Sequence, residues 1–179
     1  NAKIIAYCSH VQTDLIKKLR GSVLLLGPIA ARFGEVKLRL PGGCMIGARP
    51  IDAHLDAFAK LGAKVSQNSR FCSVNIAGSL KMSSEIVLKE FSVTATENIL
   101  MVLALNPSRV IIKGAASDYQ VQDLCNFLIK AGVNIENNGI HGIIIRGRRK
   151  LTGVSHALMY DPIEAGTFIM AGVLTKGNI

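Results

Sequence analysis

The chain has 179 residues, 49% of them hydrophobic and 18% charged, so it can bury a core and is not a disordered tail. Aromatics make up only 5% and tryptophan is absent, which removes most stacking platforms of a single-strand nucleic-acid binder. A net charge of +9 admits nucleic acid, a membrane surface or a phosphorylated small substrate as partner. The basic residues are scattered, however. The only dense run, Arg146-Gly147-Arg148-Arg149-Lys150, reads as a solvated turn between strands, so no nucleic-acid partner is expected.

Apolar spacing predicts helices over 12–19, 21–33, 51–61, 95–105, 118–131 and 163–174. Between them, and opening the chain at 3–7, short β-branched runs predict strands at 36–40, 63–65, 71–76, 85–88, 109–113, 133–135, 142–146 and 157–160. The apolar stretch 22–31 contains Gly27 and Pro28 and is too short to span a bilayer, and the first residues lack a secretory core. No membrane partner and a cytoplasmic location are therefore expected. The four cysteines, Cys8, Cys44, Cys72 and Cys125, form no CxxC pair and have no histidine-rich spacing, which argues against a metal site or a disulfide framework.

The element order repeats. Lys60-Leu61-Gly62-Ala63-Lys64-Val65 and Lys130-Ala131-Gly132-Val133-Asn134-Ile135 are matching helix stops, seventy residues apart (132 − 62 = 70). The pattern is a β-α-β-β-β-α unit seen nearly twice, in an α/β chain. Thr175-Lys176-Gly177-Asn178-Ile179 matches the turn that introduces a new strand earlier, so the chain reads as a fragment of a longer protein.

Chemistry is concentrated in Leu40-Pro41-Gly42-Gly43-Cys44-Met45-Ile46-Gly47-Ala48-Arg49-Pro50, between a strand and a helix. Three glycines allow close backbone approach to a ligand. The helix start that follows offers unpaired N–H groups to an anion, and Arg49 adds a fork of donors suited to phosphate. Arginine and a helix N-terminus also lower a thiol pKa, which makes Cys44 a candidate acid or nucleophile rather than a buried structural cysteine. The other three cysteines lie in strand or helix patterns and read as structural.

The segment Pro41-Gly42-Gly43-Cys44-x-Ile46-Gly47-Ala48-Arg49-Pro50 resembles the reactive-loop signature of UDP-N-acetylglucosamine enolpyruvyl transferases. The resemblance continues through Leu19-Arg20-Gly21-Ser22, Ala31-Arg32-Phe33-Gly34, Phe91-Ser92-Val93-Thr94-Ala95-Thr96-Glu97-Asn98 and Ile163-Glu164-Ala165-Gly166-Thr167-Phe168. It covers essentially the whole chain and less than half of a full-length member. It implies an inside-out α/β barrel, with helices inside and sheets outside. Residues 1–160 would form most of the catalytic-loop domain, and 161–179 would begin a second. The implied reaction moves the enolpyruvyl group of phosphoenolpyruvate to the 3-hydroxyl of UDP-N-acetylglucosamine, without metal or organic cofactor, as the first committed step of peptidoglycan synthesis.

Under that resemblance Cys44 is the general acid and the thiol alkylated by fosfomycin. Arg20 and Arg49 bind the anionic substrates, Pro50, Ile51, Asp52 and Ala53 line the uridine diphosphate pocket with Arg49, and Ser92 and Val93 close it. Lys89 stands in for the family's substrate lysine, whose aligned position holds Glu90. Asp118 is a further candidate, as the remaining charge of an acidic run in which Ser117 replaces arginine, and Pro162 stands where arginine is usual. The remaining segments of a full-length chain are implied partners. Two alternatives stay open: a non-catalytic sugar-nucleotide-binding homologue, and a shikimate-pathway enolpyruvyl transferase, against which Cys44 argues.

Overall fold

A computed structural model describes residues 16, 18–40, 42, 50–76 and 84–178, and residues 10–11 through their backbone. The first half runs from β1 (His10–Val11) through a 3-10 helix (Arg20–Leu25) directly into α1 (Leu26–Phe33) and β2 (Glu35–Arg39). It continues with α2 (Asp52–Lys60), β3 (Lys64–Gln67) and β4 (Phe71–Asn75). The second half follows with β5 (Glu85–Val87), α3 (Val93–Leu103), β6 (Arg109–Lys113), α4 (Tyr119–Lys130), β7 (Asn134–Asn137) and β8 (Gly142–Arg146). Helix α5 (Pro162–Thr175) comes last.

The repeat is confirmed by its hydrogen bonds. One sheet has the order β1-β2-β4-β3 and the other β5-β6-β8-β7, each with one parallel pair and two antiparallel ones. The matching helix stops fold alike. Gly62 and Gly132 take φ of 86° and 100°, and the amides of Ala63 and Val133 donate to the carbonyls of Phe58 and Leu128 at 3.1 and 3.0 Å. Only a residue without Cβ adopts that left-handed turn freely, which is why both stops carry glycine.

Two expectations are corrected. Each sheet closes on a β-α-β-α-β-β run, so the repeating unit begins one strand and one helix earlier than the sequence pattern suggested. Residues 157–160 form no strand: Leu158 and Tyr160 are exposed and the segment finds no ladder partner. The basic run therefore lies not between strands but after β8, where the Arg148 amide donates to the Ala104 carbonyl at 2.9 Å. The expected opening strand at 3–7 and most of the helix at 12–19 lie outside the described residues.

Each sheet turns one face onto the helices. Val36, Leu38, Cys72 and Val74 point inward from the first sheet, and Val110, Ile112, Ile143 and Ile145 from the second. Helix α3 lies at the centre, touching α1, α2, α4 and the 3-10 helix, with Ile99, Leu100 and Leu103 excluded from solvent. Full burial of each such side chain contributes about 1.5–3 kcal/mol. α3 also buries Thr96 and Asn98, and both are matched: Thr96 Oγ1 accepts from the Ala116 amide at 3.0 Å, and the Asn98 side chain is fully paired. Helices α1 and α3 approach closely at Gly27, where a Cβ would stand 2.6 Å from the Asn98 carbonyl oxygen. Among the described residues no helix is long and apolar enough to cross a membrane.

This contact gives a stability prediction. Gly27→Ala should cost about 1–3 kcal/mol by overpacking, and Asn98→Ala about 1–3 kcal/mol by stranding the buried Gly27 amide. Urea unfolding followed by circular dichroism reads both, and a Gly27→Ala protein as stable as wild type would contradict the close approach.

Candidate active site

Three element starts converge at one end of the helical layer. The 3-10 helix begins with Arg20, whose Nη2 donates to the Pro50 carbonyl at 3.0 Å. Pro50 and Ile51 lead into α2, and the acidic side chain of Asp52 sits in its first turn, where it complements the helix dipole. Ile51 is buried while Pro50 and Asp52 are exposed, so the segment is anchored by one apolar side chain and open on either side. From the second repeat, Ser92 caps α3 and accepts from the Ala95 amide at 3.3 Å, with Val93 at the first helical position. Of the residues expected from the sequence, Arg20, Pro50, Ile51, Asp52 and Ala53 therefore form one wall, and Ser92 and Val93 begin the neighbouring helix. Cys44 and Arg49 lie outside the described residues.

What joins the two walls is a residue that no sequence motif singled out. His54, in the first turn of α2, is 4% exposed, and its Nε2 lies 2.8 Å from Thr94 Oγ1 in the first turn of α3. Burial first, then the nearby positive charge of Arg20, pushes its pKa down to about 4, against a smaller opposing pull from the Ile51 backbone. The imidazole is therefore neutral at pH 7. Its Nδ1 is buried without a hydrogen bond of good geometry.

Lys89, expected at the substrate, is ion-paired in this structure. Its ammonium lies 2.8 Å from Asp56 on α2, and Lys60 reaches the same carboxylate at 2.8 Å while donating to the Val87 carbonyl at 2.6 Å. Burial resists charge on Asp56, but the two ammoniums outweigh it and hold the carboxyl below its usual range. A phosphate would have to compete with Asp56 for Lys89. Asp118 caps α4 by position but makes no side-chain capping bond. It faces Glu97 of α3, whose pKa is raised by burial and then by the Asp118 charge. Pro162 occupies the first turn of α5, capped by Asp161 through the Ile163 and Glu164 amides at 2.8 and 3.3 Å, a position that suits proline. Cys72 and Cys125 are buried, and burial pushes each thiol up to about 11. Beside the root of the cysteine-bearing loop lies a cavity of about 590 Å³ lined by Arg39, Leu40, Gly42, Ser69, Arg70 and Phe71.

Comparison with known proteins places these features in context. A family model described as EPSP synthase (3-phosphoshikimate 1-carboxyvinyltransferase) matches residues 4–179. The UDP-N-acetylglucosamine 1-carboxyvinyltransferase of Coxiella burnetii is 41% identical over 170 residues, covering 95% of this chain and 39% of its own. The protein of that name from Endomicrobium trichonymphae is 42% identical over 166 residues, covering 93% and 40%. The chain thus spans about two fifths of the length of these curated relatives. Among solved structures, the enolpyruvyl transferase NikO from Streptomyces tendae superposes with a TM-score of 0.74 at 21% identity, over 92% of this chain and 39% of that one. EPSP synthase from Acinetobacter baumannii gives 0.56 at 15% identity, over 74% and 30%. At these identities the likeness is one of fold, and it is the inside-out α/β fold expected from the sequence.

Two measurements follow from the titrating groups. A hydrophilic maleimide should leave Cys72 and Cys125 unmodified in the native chain and label both in urea, and rapid native labelling of either would contradict their burial. For His54, the unfolded chain binds the proton near 6.5 and the folded chain only near 4, so stability falls as pH drops through that window. The loss is on the order of 3 kcal/mol. In His54→Gln that part of the pH dependence should vanish from urea titrations at pH 5 and pH 7, whereas an unchanged slope would contradict the assignment.

Proposed function

Since the chain belongs to the EPSP synthase family of 1-carboxyvinyl (enolpyruvyl) transferases, we propose that it works within a polypeptide of its relatives' length as a UDP-N-acetylglucosamine enolpyruvyl transferase. The observation that carries this reading is the meeting of Arg20, the Pro50–Ala53 segment and the Ser92–Val93 helix start. It is supported by the name borne by relatives that are 41–42% identical over nearly the whole chain.

In this reading the sugar nucleotide lies along the start of α2, with its diphosphate near Arg20 and Arg49 and the start of α3 closing over it. The thiol of Cys44 gives its proton to the methylene carbon of phosphoenolpyruvate. The sugar 3-hydroxyl adds to the adjacent carbon and loses its proton. The tetrahedral adduct then gives up a proton from its new methyl group, the C=C bond re-forms, and inorganic phosphate leaves with the electrons of the C–O bond. One of the two released protons restores the thiol. Carbon is a slow proton acceptor, so the step needs an acid held in place and cations that stabilise the anionic phosphate. The glycines around Cys44 suit a loop that closes over bound substrate and excludes water. Asp118, through its effect on Glu97, adjusts the charge beside the α3 wall. Product formed this way feeds peptidoglycan synthesis in the cytoplasm.

Residues 1–160 then form most of the catalytic-loop domain, and α5 opens the second. Supporting this, α5 exposes Ile163, Phe168, Ile169, Met170, Val173 and Leu174, an apolar load that an isolated surface helix does not carry. The ion pair between Lys89 and Asp56 favours a second reading, a sugar-nucleotide-binding homologue without turnover.

The two readings separate in one experiment. In a polypeptide extended to the relatives' length, phosphate release should require both phosphoenolpyruvate and UDP-N-acetylglucosamine. Fosfomycin should label Cys44, and Cys44→Ser should lower kcat by at least ~10²-fold. The 179-residue chain alone should release little or no phosphate. Sugar-nucleotide binding with no phosphate release and no fosfomycin labelling would establish the non-catalytic reading instead.

A further inference from the structure

The polar contacts at the converging element starts form a closed circuit. Arg20 Nη2 holds the Pro50 carbonyl at 3.0 Å, and Pro50 continues into α2 and His54. His54 Nε2 meets Thr94 Oγ1 at 2.8 Å, crossing from the first repeat to the second. The Thr94 carbonyl accepts from Asn98 Nδ2 at 3.1 Å, and the same amide nitrogen donates to the Val23 carbonyl at 3.1 Å. Asn98 Oδ1 accepts from the Gly27 amide at 2.7 Å. Val23 lies in the 3-10 helix that Arg20 begins, so the path returns to its origin.

We propose that His54, Thr94 and Asn98 are positioning residues for the sugar-nucleotide site: their hydrogen bonds fix the start of α2 against the start of α3 and both against Arg20. This rests on the function proposed above, and it adds a role for three residues that were not assigned to substrate.

The argument is geometric. Each segment given to the nucleotide begins an element, where the backbone has not yet been fixed by a full turn of helical bonds. The two walls come from different repeats, and the partners in the linking bonds are 40, 71 and 75 residues apart, so no local preference sets their separation. The one His54 side-chain hydrogen bond of good geometry is at Nε2, to Thr94, so that bond links the buried ring to the second repeat. A ligand spanning both walls gains affinity when their spacing is set beforehand, because less ordering accompanies binding. The second substrate, held by cations elsewhere in the site, does not depend on that spacing.

Thr94→Val keeps the shape and removes the hydroxyl, while Thr94→Ser restores it. In the polypeptide of the relatives' length, Thr94→Val should raise KM for UDP-N-acetylglucosamine by roughly tenfold, with KM for phosphoenolpyruvate and kcat within about threefold. Thr94→Ser should return the sugar-nucleotide KM to within about twofold of wild type. A lowered Tm with an unchanged sugar-nucleotide KM would reduce the bond to a structural one and overturn the proposal. A second arm needs no turnover. In ligand-free 15N–1H spectra of the 179-residue chain, Thr94→Val should shift Arg20 and the Ile51, Asp52 and Ala53 amides as well as its neighbours. Shifts confined to α3 would overturn the circuit. If wild type showed no turnover, the functional reading would fail by itself, and these shifts would still decide the circuit.

Discussion

One primary amide, that of Asn98, bonds to both repeats at once, and the arrangement of the two depends on it. Its oxygen takes the Gly27 amide and its nitrogen serves Val23 and Thr94, so a side chain at the centre of the molecule is satisfied by backbone from α1, the 3-10 helix and α3. A buried amide left without those partners costs more than the bonds contribute when made, so the two helices have one favourable register. Gly27 makes that register sterically accessible, because the helices approach too closely there for a Cβ. Packing of Leu26, Ile99, Leu100 and Leu103 supplies the bulk of the attraction, but apolar contact is non-directional and does not by itself select a register.

The same register brings the candidate site together. The helix starts face one end of the layer, and their charges are arranged with opposite signs on its two sides. Arg20 makes the α2 wall positive and helps keep His54 neutral, whereas beside α3 burial and then the Asp118 charge raise the pKa of Glu97. Lys89 and Lys60 both pair with Asp56, and Lys60 also reaches the Val87 carbonyl, which braces α2 against the strand that leads into the second repeat. Under the proposed function, an anionic nucleotide would be drawn to the guanidinium of Arg20 together with Arg49.

Much of the fold was legible because its signals are local. The paired stops at Gly62 and Gly132 state a backbone requirement in the residue itself, and the strands 109–113 and 142–146 have inward Val and Ile at every second position. The expected strand at 157–160 shows the limit of that logic, since a short apolar run is a strand only when another strand stands beside it. The unit boundary was misplaced for the same reason: order along the chain does not say which strands share a sheet. In the site, Arg20, Ile51 and Ser92 were visible through a motif, but His54, Thr94 and Asn98 were not singled out. Their partners lie 40 to 75 residues away, and nothing in a local window distinguishes a histidine that bridges two repeats from one that fills a core.

The central claim is that the starts of the 3-10 helix, α2 and α3 make up one sugar-nucleotide site. Titrating the isotopically labelled 179-residue chain with UDP-N-acetylglucosamine and mapping the backbone amide shifts tests it most directly. The account predicts saturable changes centred on Arg20, Ile51, Asp52, Ala53, Ser92 and Val93. Changes centred instead on the cavity of Arg39, Arg70 and Phe71, or none at millimolar ligand, would contradict it.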